Sequence, residues 1–181
     1  MRKFIVFLLL FFAAAGVSFA KTKPEASVSD VKSNLDKYRG KLDAYIIFSN
    51  QTILSQIEES KTGKEISDVN KLREFNINLE ICKDIQVLLE RYYIYLSWLS
   101  DLYGLKQAKR KEVVDSVIIK EIAELENKII ANLDFEINKY LPSFIPDITD
   151  QTIGVFGKDV LKTLSEIKSY IEEMRGSDLE I

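Results

Sequence analysis

Hydrophobic residues recur along most of this chain at the three- and four-residue spacing that places them on one side of an α-helix. The first such segment covers residues 27–59, and its stripe is about 120° wide, which is typical of an amphipathic helix. The stripe consists of Val28, Val31, Leu35, Tyr38, Leu42, Tyr45, Ile46, Ile53 and Ile57. Because Ile47, Phe48 and Leu54 fall outside it, we expect the second half of this helix to contact another neighbour.

The segment 63–103 is predicted to be the second helix, and it carries two hydrophobic stripes. The main stripe contains Leu72, Phe75, Leu79, Cys82, Ile85, Leu89, Tyr92, Tyr93, Leu96 and Leu99, and the other contains Ile77, Leu88, Tyr95, Trp98 and Leu102. So wide an apolar arc needs two or more neighbouring helices, which favours a bundle over a two-stranded coiled coil. Thr62 and Glu65 have the spacing of a capping box, so we expect Thr62 to be the N-cap of this helix.

Two further helices are predicted, over residues 107–140 and 158–175. Between them, Pro142 and Pro146 interrupt the helical pattern. We expect the apolar segment 141–157 to be a loop or short helical turns across one end of the bundle, where it could serve as a mobile lid.

The predicted fold is therefore all-α, an antiparallel up-and-down bundle of about four long helices. Only seven Gly and three Pro occur in 181 residues, which disfavours an all-β fold with many tight turns. The helices form a single domain over residues 27–175, with short tails at 21–26 and 176–181.

The N-terminal segment 1–20 has the pattern of a secretory signal peptide. Arg2 and Lys3 precede an unbroken apolar run over 4–15, and small residues stand at Ser18 and Ala20. An uncleaved membrane anchor is the alternative, but the apolar run is shorter than the roughly 20 residues that a spanning helix needs. We therefore expect cleavage and a periplasmic or extracellular protein that is not an integral membrane protein.

The composition excludes several kinds of chemistry. The chain has no His and one Cys, which removes Ser-His-Asp and Cys-His catalysis, His-bearing zinc sites, His-ligated haem and an internal disulfide. No other motif points to a reaction, so we expect a protein without enzymatic activity or a cofactor. Cys82 lies on the main apolar stripe, where burial is favoured over a role as a redox sensor or as the disulfide bridge of a dimer.

Tyr95, Trp98 and Leu102 are the candidate partner-binding residues. Aromatic side chains with a polar tip are enriched at binding hot spots, and these three residues lie on the second stripe. Packing against a neighbouring helix would explain the same residues.

A basic cluster marks the junction of the second and third helices, and it consists of Lys106, Lys109, Arg110 and Lys111. It could bind an anionic surface, or it could be a solvated helix end. Nucleic acid is not an expected partner, because the chain has a net charge of -3 and four cations are few for that role.

Two functional hypotheses follow. The first is an exported, non-enzymatic protein of the bacterial envelope that acts by protein–protein interaction or self-association, as a periplasmic accessory, assembly or adhesion factor. A bacterial source is inferred from the compact leader and from the lack of the disulfides that small secreted eukaryotic domains carry. The alternative is a carrier or sensor that binds an apolar small molecule within the bundle.

Overall fold

Four long helices make up most of the part of the chain that the structure describes. The computed structural model describes residues 26–63, 69–104, 108–140, 151–175 and 179–180. Helix α1 spans Val28–Lys61, α2 spans Val69–Gly104, α3 spans Ala108–Phe135 and α4 spans Gln151–Met174. Helix α1 packs on α2, α2 on α3 and α3 on α4, and a sparser contact between α4 and α1 closes the ring. The prediction of an all-α, up-and-down bundle is confirmed; the predicted signal peptide 1–20 lies outside the described residues.

Helix α1 has well-defined ends. The Ser27 hydroxyl accepts a 3.1 Å hydrogen bond from the backbone N–H of Asp30, which is the N-cap interaction. At the other end Thr62 is the C-cap, and its hydroxyl donates to the carbonyl of Glu59. Gly63 follows with φ of 83°, a left-handed conformation that glycine adopts without strain. Thr62 therefore closes α1 rather than opening α2, so the predicted N-cap role is wrong; Glu65 lies outside the described residues.

The middle helices differ from their predicted bounds mainly at the ends. Helix α2 is described from Val69, because residues 64–68 lie outside the described residues, and it ends at Gly104, one residue beyond the predicted end. Helix α3 begins at Ala108, and a π-helical turn, Glu136–Tyr140, follows its last residue, Phe135. The predicted helix 107–140 therefore corresponds to α3 and this π-helical turn taken together.

Helix α4 begins seven residues before its predicted start. Residues 151–157 are helical, whereas the sequence pattern predicted a loop or short helical turns over 141–157. The half-buried ring of Phe156 packs against Phe48, Phe75 and Tyr45, with centroid distances of 5.0, 5.2 and 5.6 Å. This packing stabilises an early turn that the sequence pattern leaves undetermined. The remainder of the predicted lid, 141–150, lies outside the described residues.

The ends of the described chain meet in a short parallel strand pair. Strand β1, Ala26–Ser27, pairs with strand β2, Leu179–Glu180, so that Ala26 lies opposite Leu179. The sequence pattern predicts tails at 21–26 and 176–181 and no strand. A pair of two-residue strands carries no alternating pattern that sequence reading could detect.

The core lies between the four helices and consists almost entirely of aliphatic side chains. Its fully buried members are Val31, Leu35, Leu42, Cys82, Leu89, Tyr92, Leu96, Ile129, Leu133, Val160, Leu164, Ile167 and Ile171. They come from the predicted stripes of all four helices, which explains why periodicity alone predicted the bundle. None of the helices in the described ranges is long and apolar enough to cross a membrane.

Candidate partner-binding surface on helix α2

Helix α2 exposes apolar side chains on the side that faces away from the bundle. Val87, Ile94 and Trp98 retain 50%, 40% and 52% of their accessible surface. Their spacing of seven and four residues places them on one face of the helix. Charged, exposed residues lie among them. We call this surface the α2 outer face, and it consists of Lys83, Val87, Glu90, Arg91, Ile94 and Trp98.

Tyr95 and Trp98 differ in how far they enter the bundle. Tyr95 is half-buried against the hydrophobic core, whereas Trp98 is exposed. The two rings meet edge to face, with centroids 5.3 Å apart. Tyr95 therefore supports the indole of Trp98 from one side and leaves the rest of the ring to solvent. Leu102 belongs to α2, but its side chain is not among those that the structure describes.

The candidate anionic-surface residues fall near the start of α3. Lys109, Arg110 and Lys111 lie in the first turn of α3, and Lys106 lies outside the described residues. The helix dipole disfavours cations at an N-terminus. The dipole of α3 therefore does not stabilise these three cations.

Cys82 is a free thiol with no solvent exposure. Burial raises the pKa of the thiol to about 12. The expected burial of Cys82 is confirmed, and in the folded protein the thiol is inaccessible to a second chain.

A buried polar contact that the sequence pattern did not predict joins α2 and α3. The Tyr92 hydroxyl donates a 2.6 Å hydrogen bond to the carboxylate of Glu126. Burial raises the pKa of Glu126, although the Tyr92 hydrogen bond and the charge of Arg175 act in the opposite direction. The sequence signal for the burial of Glu126 is its position in the helical pattern. Glu126 follows Leu125 and precedes Ile129 and Ile130, and all three of these residues are buried.

A shallow groove of about 470 Å³ separates α1 from α4. Its lining consists of Tyr38, Lys162, Ser165, Glu166, Ser169, Tyr170 and Glu173. Lys41 spans the same two helices through a 2.8 Å ion pair with Glu166. This groove is shallow and open to solvent, and Lys162, Glu166 and Glu173 place charges along it, so it does not enclose an apolar ligand.

Within the described ranges, no three acidic, histidine or cysteine side chains converge where a metal ion could bind. The α2 outer face is the candidate functional site, because it combines exposed apolar side chains with the single Trp of the chain. Comparison of the chain with protein-family models, with curated proteins and with solved structures finds no match.

Proposed function

We propose that this is an exported, non-enzymatic helical-bundle protein of the bacterial envelope that acts through protein–protein interaction, and that the α2 outer face binds the partner. The observation that carries the proposal is the exposed Trp98, held edge to face by Tyr95 in line with Val87 and Ile94. Contiguous exposed apolar side chains with a polar rim are typical of binding surfaces.

The composition of this surface supports the proposal. Trp, Tyr and Arg are the residues most enriched among binding hot spots, and Trp98, Tyr95 and Arg91 occur within eight positions. Because Tyr95 restrains one side of the indole, Trp98 loses less side-chain freedom when it binds than an isolated exposed tryptophan would.

Export is supported by the leader pattern of residues 1–20. We expect N-terminal sequencing of the protein recovered from outside the cytoplasm to begin at Lys21. A chain that starts at Met1 in the membrane fraction would contradict signal cleavage.

The carrier hypothesis has less support. The widest apolar arcs, on α2 and α3, pack into a core whose Leu and Ile side chains are buried against one another. The groove between α1 and α4 is open to solvent and has three charged residues in its lining. These features favour an interaction surface on the outside of the bundle over a ligand site inside it.

Site-specific photo-crosslinking in the producing cell tests the interaction. A photoreactive amino acid placed at Trp98 should crosslink to a discrete partner, while the same probe at Glu121, an exposed residue of α3, should not. The Trp98→Ala variant should lose the association with unchanged helicity by circular dichroism. Equal crosslinking from both positions, or none from Trp98, would contradict the proposal.

A further inference from the structure

We infer that the α2 outer face pairs with the same face of a second copy of this chain. The two α2 helices would run antiparallel about a two-fold axis that passes between Glu90 and Arg91. This inference rests on the proposed function, because it names the partner of that same surface.

The spacing of the residues on the α2 outer face is compatible with a two-fold axis. The positions 83, 87, 90, 91, 94 and 98 are symmetric about the midpoint of 90 and 91. Antiparallel helices related by a two-fold axis bring together positions that are equally far from the axis, as every isologous interface does. Lys83 then lies opposite the partner's Trp98, Val87 opposite the partner's Ile94, and Glu90 opposite the partner's Arg91.

Each of these three pairs is chemically complementary. Val87 and Ile94 are both apolar and both at least 40% exposed in the single chain. Glu90 and Arg91 carry opposite charges, and the two-fold axis produces their ion pair twice. Lys83 and Trp98 form a cation–π pair, the arrangement in which tryptophan is the best acceptor ring. A symmetric pairing therefore leaves none of the six side chains opposite a like charge.

The present contacts of these charged residues do not prevent the pairing. Glu90 Oε1 lies 3.7 Å from Arg39 Nη2, and Lys83 Nζ lies 3.6 Å from Glu80 Oε1. Both contacts are long, and the Glu90 and Lys83 side chains are exposed although Arg39 is half-buried. Ion pairs of exposed side chains contribute little to stability. Their side chains can turn toward a partner at small cost.

The ends of the paired segment contain one unfavourable element. Asp101 would lie opposite the partner's Glu80, and both are exposed carboxylates. Lys83 lies beside Glu80 and partly compensates its charge. Replacement of Glu80 by Lys should therefore strengthen the pairing.

The size of the surface determines the strength that we expect. Residues 83–98 extend over about 23 Å of helix. One face of a helix of this length buries less area than a standard interface, which covers about 800 Å² per partner. Pairing should accordingly depend on protein concentration, with a dissociation constant on the order of micromolar or weaker.

Analytical ultracentrifugation of charge-exchanged variants is the decisive experiment. The wild-type protein should change from monomer to dimer as its concentration rises. Glu90→Arg and Arg91→Glu should each weaken this association at least tenfold, because each places like charges across the axis. Lys128→Glu, a charge reversal on α3, is the matched control and should leave the association unchanged.

Two combinations of the charge substitutions distinguish a loss of pairing across the axis from a general loss of folding. A mixture of the Glu90→Arg and Arg91→Glu proteins should form a heterodimer, since the first variant carries two arginines beside the axis and the second carries two glutamates. The double variant E90R/R91E should dimerise with itself, because the exchange restores opposite charges across the axis. Circular dichroism of each variant checks that the fold is retained.

Failure of this inference can be distinguished from failure of the proposed function. A wild-type protein that stays monomeric up to millimolar concentration, or mixed variants that do not associate, would overturn the self-pairing. If Trp98 still crosslinks to a different protein in the cell, the proposed function stands with another partner. If no crosslink and no dimer form, both proposals are wrong.

Discussion

The Tyr92 hydroxyl donates a 2.6 Å hydrogen bond to Glu126 in the bundle interior, where both residues are at most 4% exposed. A carboxylate in such a place depends on this donor. We expect Tyr92→Phe to lower the free energy of unfolding by about 1–3 kcal/mol, because it leaves a buried acceptor unpaired. Urea denaturation at pH 7 measures the change. Glu126→Gln is the matched control: its amide oxygen still accepts the bond, and an equal loss in both variants would refute this account.

The same pair makes stability depend on pH. Burial raises the folded-state pKa of Glu126 above its ordinary value of 4.5, so the folded protein retains this proton more strongly than the unfolded chain does. The resulting stabilisation is present below about pH 4.5 and is lost as the pH rises through the raised folded pKa. Glu126→Gln removes this dependence, so its stability relative to wild type should increase from pH 4 to pH 7. A constant difference would contradict the expectation.

Replacement by Ala should change the stability of the protein in opposite directions at Gly40 and at Gly63. Gly40 lies inside α1, and an added Cβ would meet no atom within 4 Å. Gly40→Ala should therefore stabilise the protein by up to about 1 kcal/mol. Gly63 has φ of 83°, where a Cβ costs roughly 1–2 kcal/mol, so Gly63→Ala should destabilise it. Thermal unfolding of both variants would show shifts of the same sign if these assignments were wrong.

Two buried hydroxyls should also respond differently to removal. Ser49 is fully buried, and its hydroxyl has no hydrogen-bond partner in the part of the chain that the structure describes. Thr163 is buried as well, but its hydroxyl lies 3.0 Å from that of Tyr45. Ser49→Ala should be neutral or stabilising, whereas Thr163→Val should cost about 1 kcal/mol. Chemical denaturation would decide the matter, and a larger loss at Ser49 would be the contrary result.

Cys82 should resist thiol reagents until the bundle unfolds. Its side chain has no solvent exposure, and burial raises its pKa to about 12. A chromogenic disulfide reagent should therefore react with the native protein only as fast as the core opens, and at full speed in guanidinium. The mass of any oligomer should be the same with and without reductant. Rapid labelling of the native protein would show that the core around Cys82 is open.

The sequence predicted the helices well because burial repeats along each of them. Leu35, Leu89, Ile129 and Leu164 come from the four predicted stripes, and all are fully buried. Hydrophobic periodicity reports this kind of burial directly, so the fold class could be predicted from it. The exposure of Trp98 could not be predicted in this way, because residues of the second stripe could either pack against a neighbouring helix or face solvent.

The differences occur where the conformation of a neighbouring residue or a contact between distant segments overrides the sequence pattern. Thr62 has the sequence of an N-cap, yet Gly63 in a left-handed conformation makes it the end of α1. Phe156 lies in a segment that looks irregular, yet its packing against Phe48 and Phe75 accompanies an earlier start of α4. Glu126 looks like part of a charged face, but Tyr92 supplies a donor from another helix.

The pairing of Ala26 with Leu179 places two residues that are distant in sequence side by side. A short peptide could therefore join these two ends with little loss of chain entropy. New termini opened at the turn after Thr62, whose backbone is exposed at the opposite end of α1, would then give a circularly permuted bundle. The order of the helices along the chain would change while their neighbours in space stayed the same.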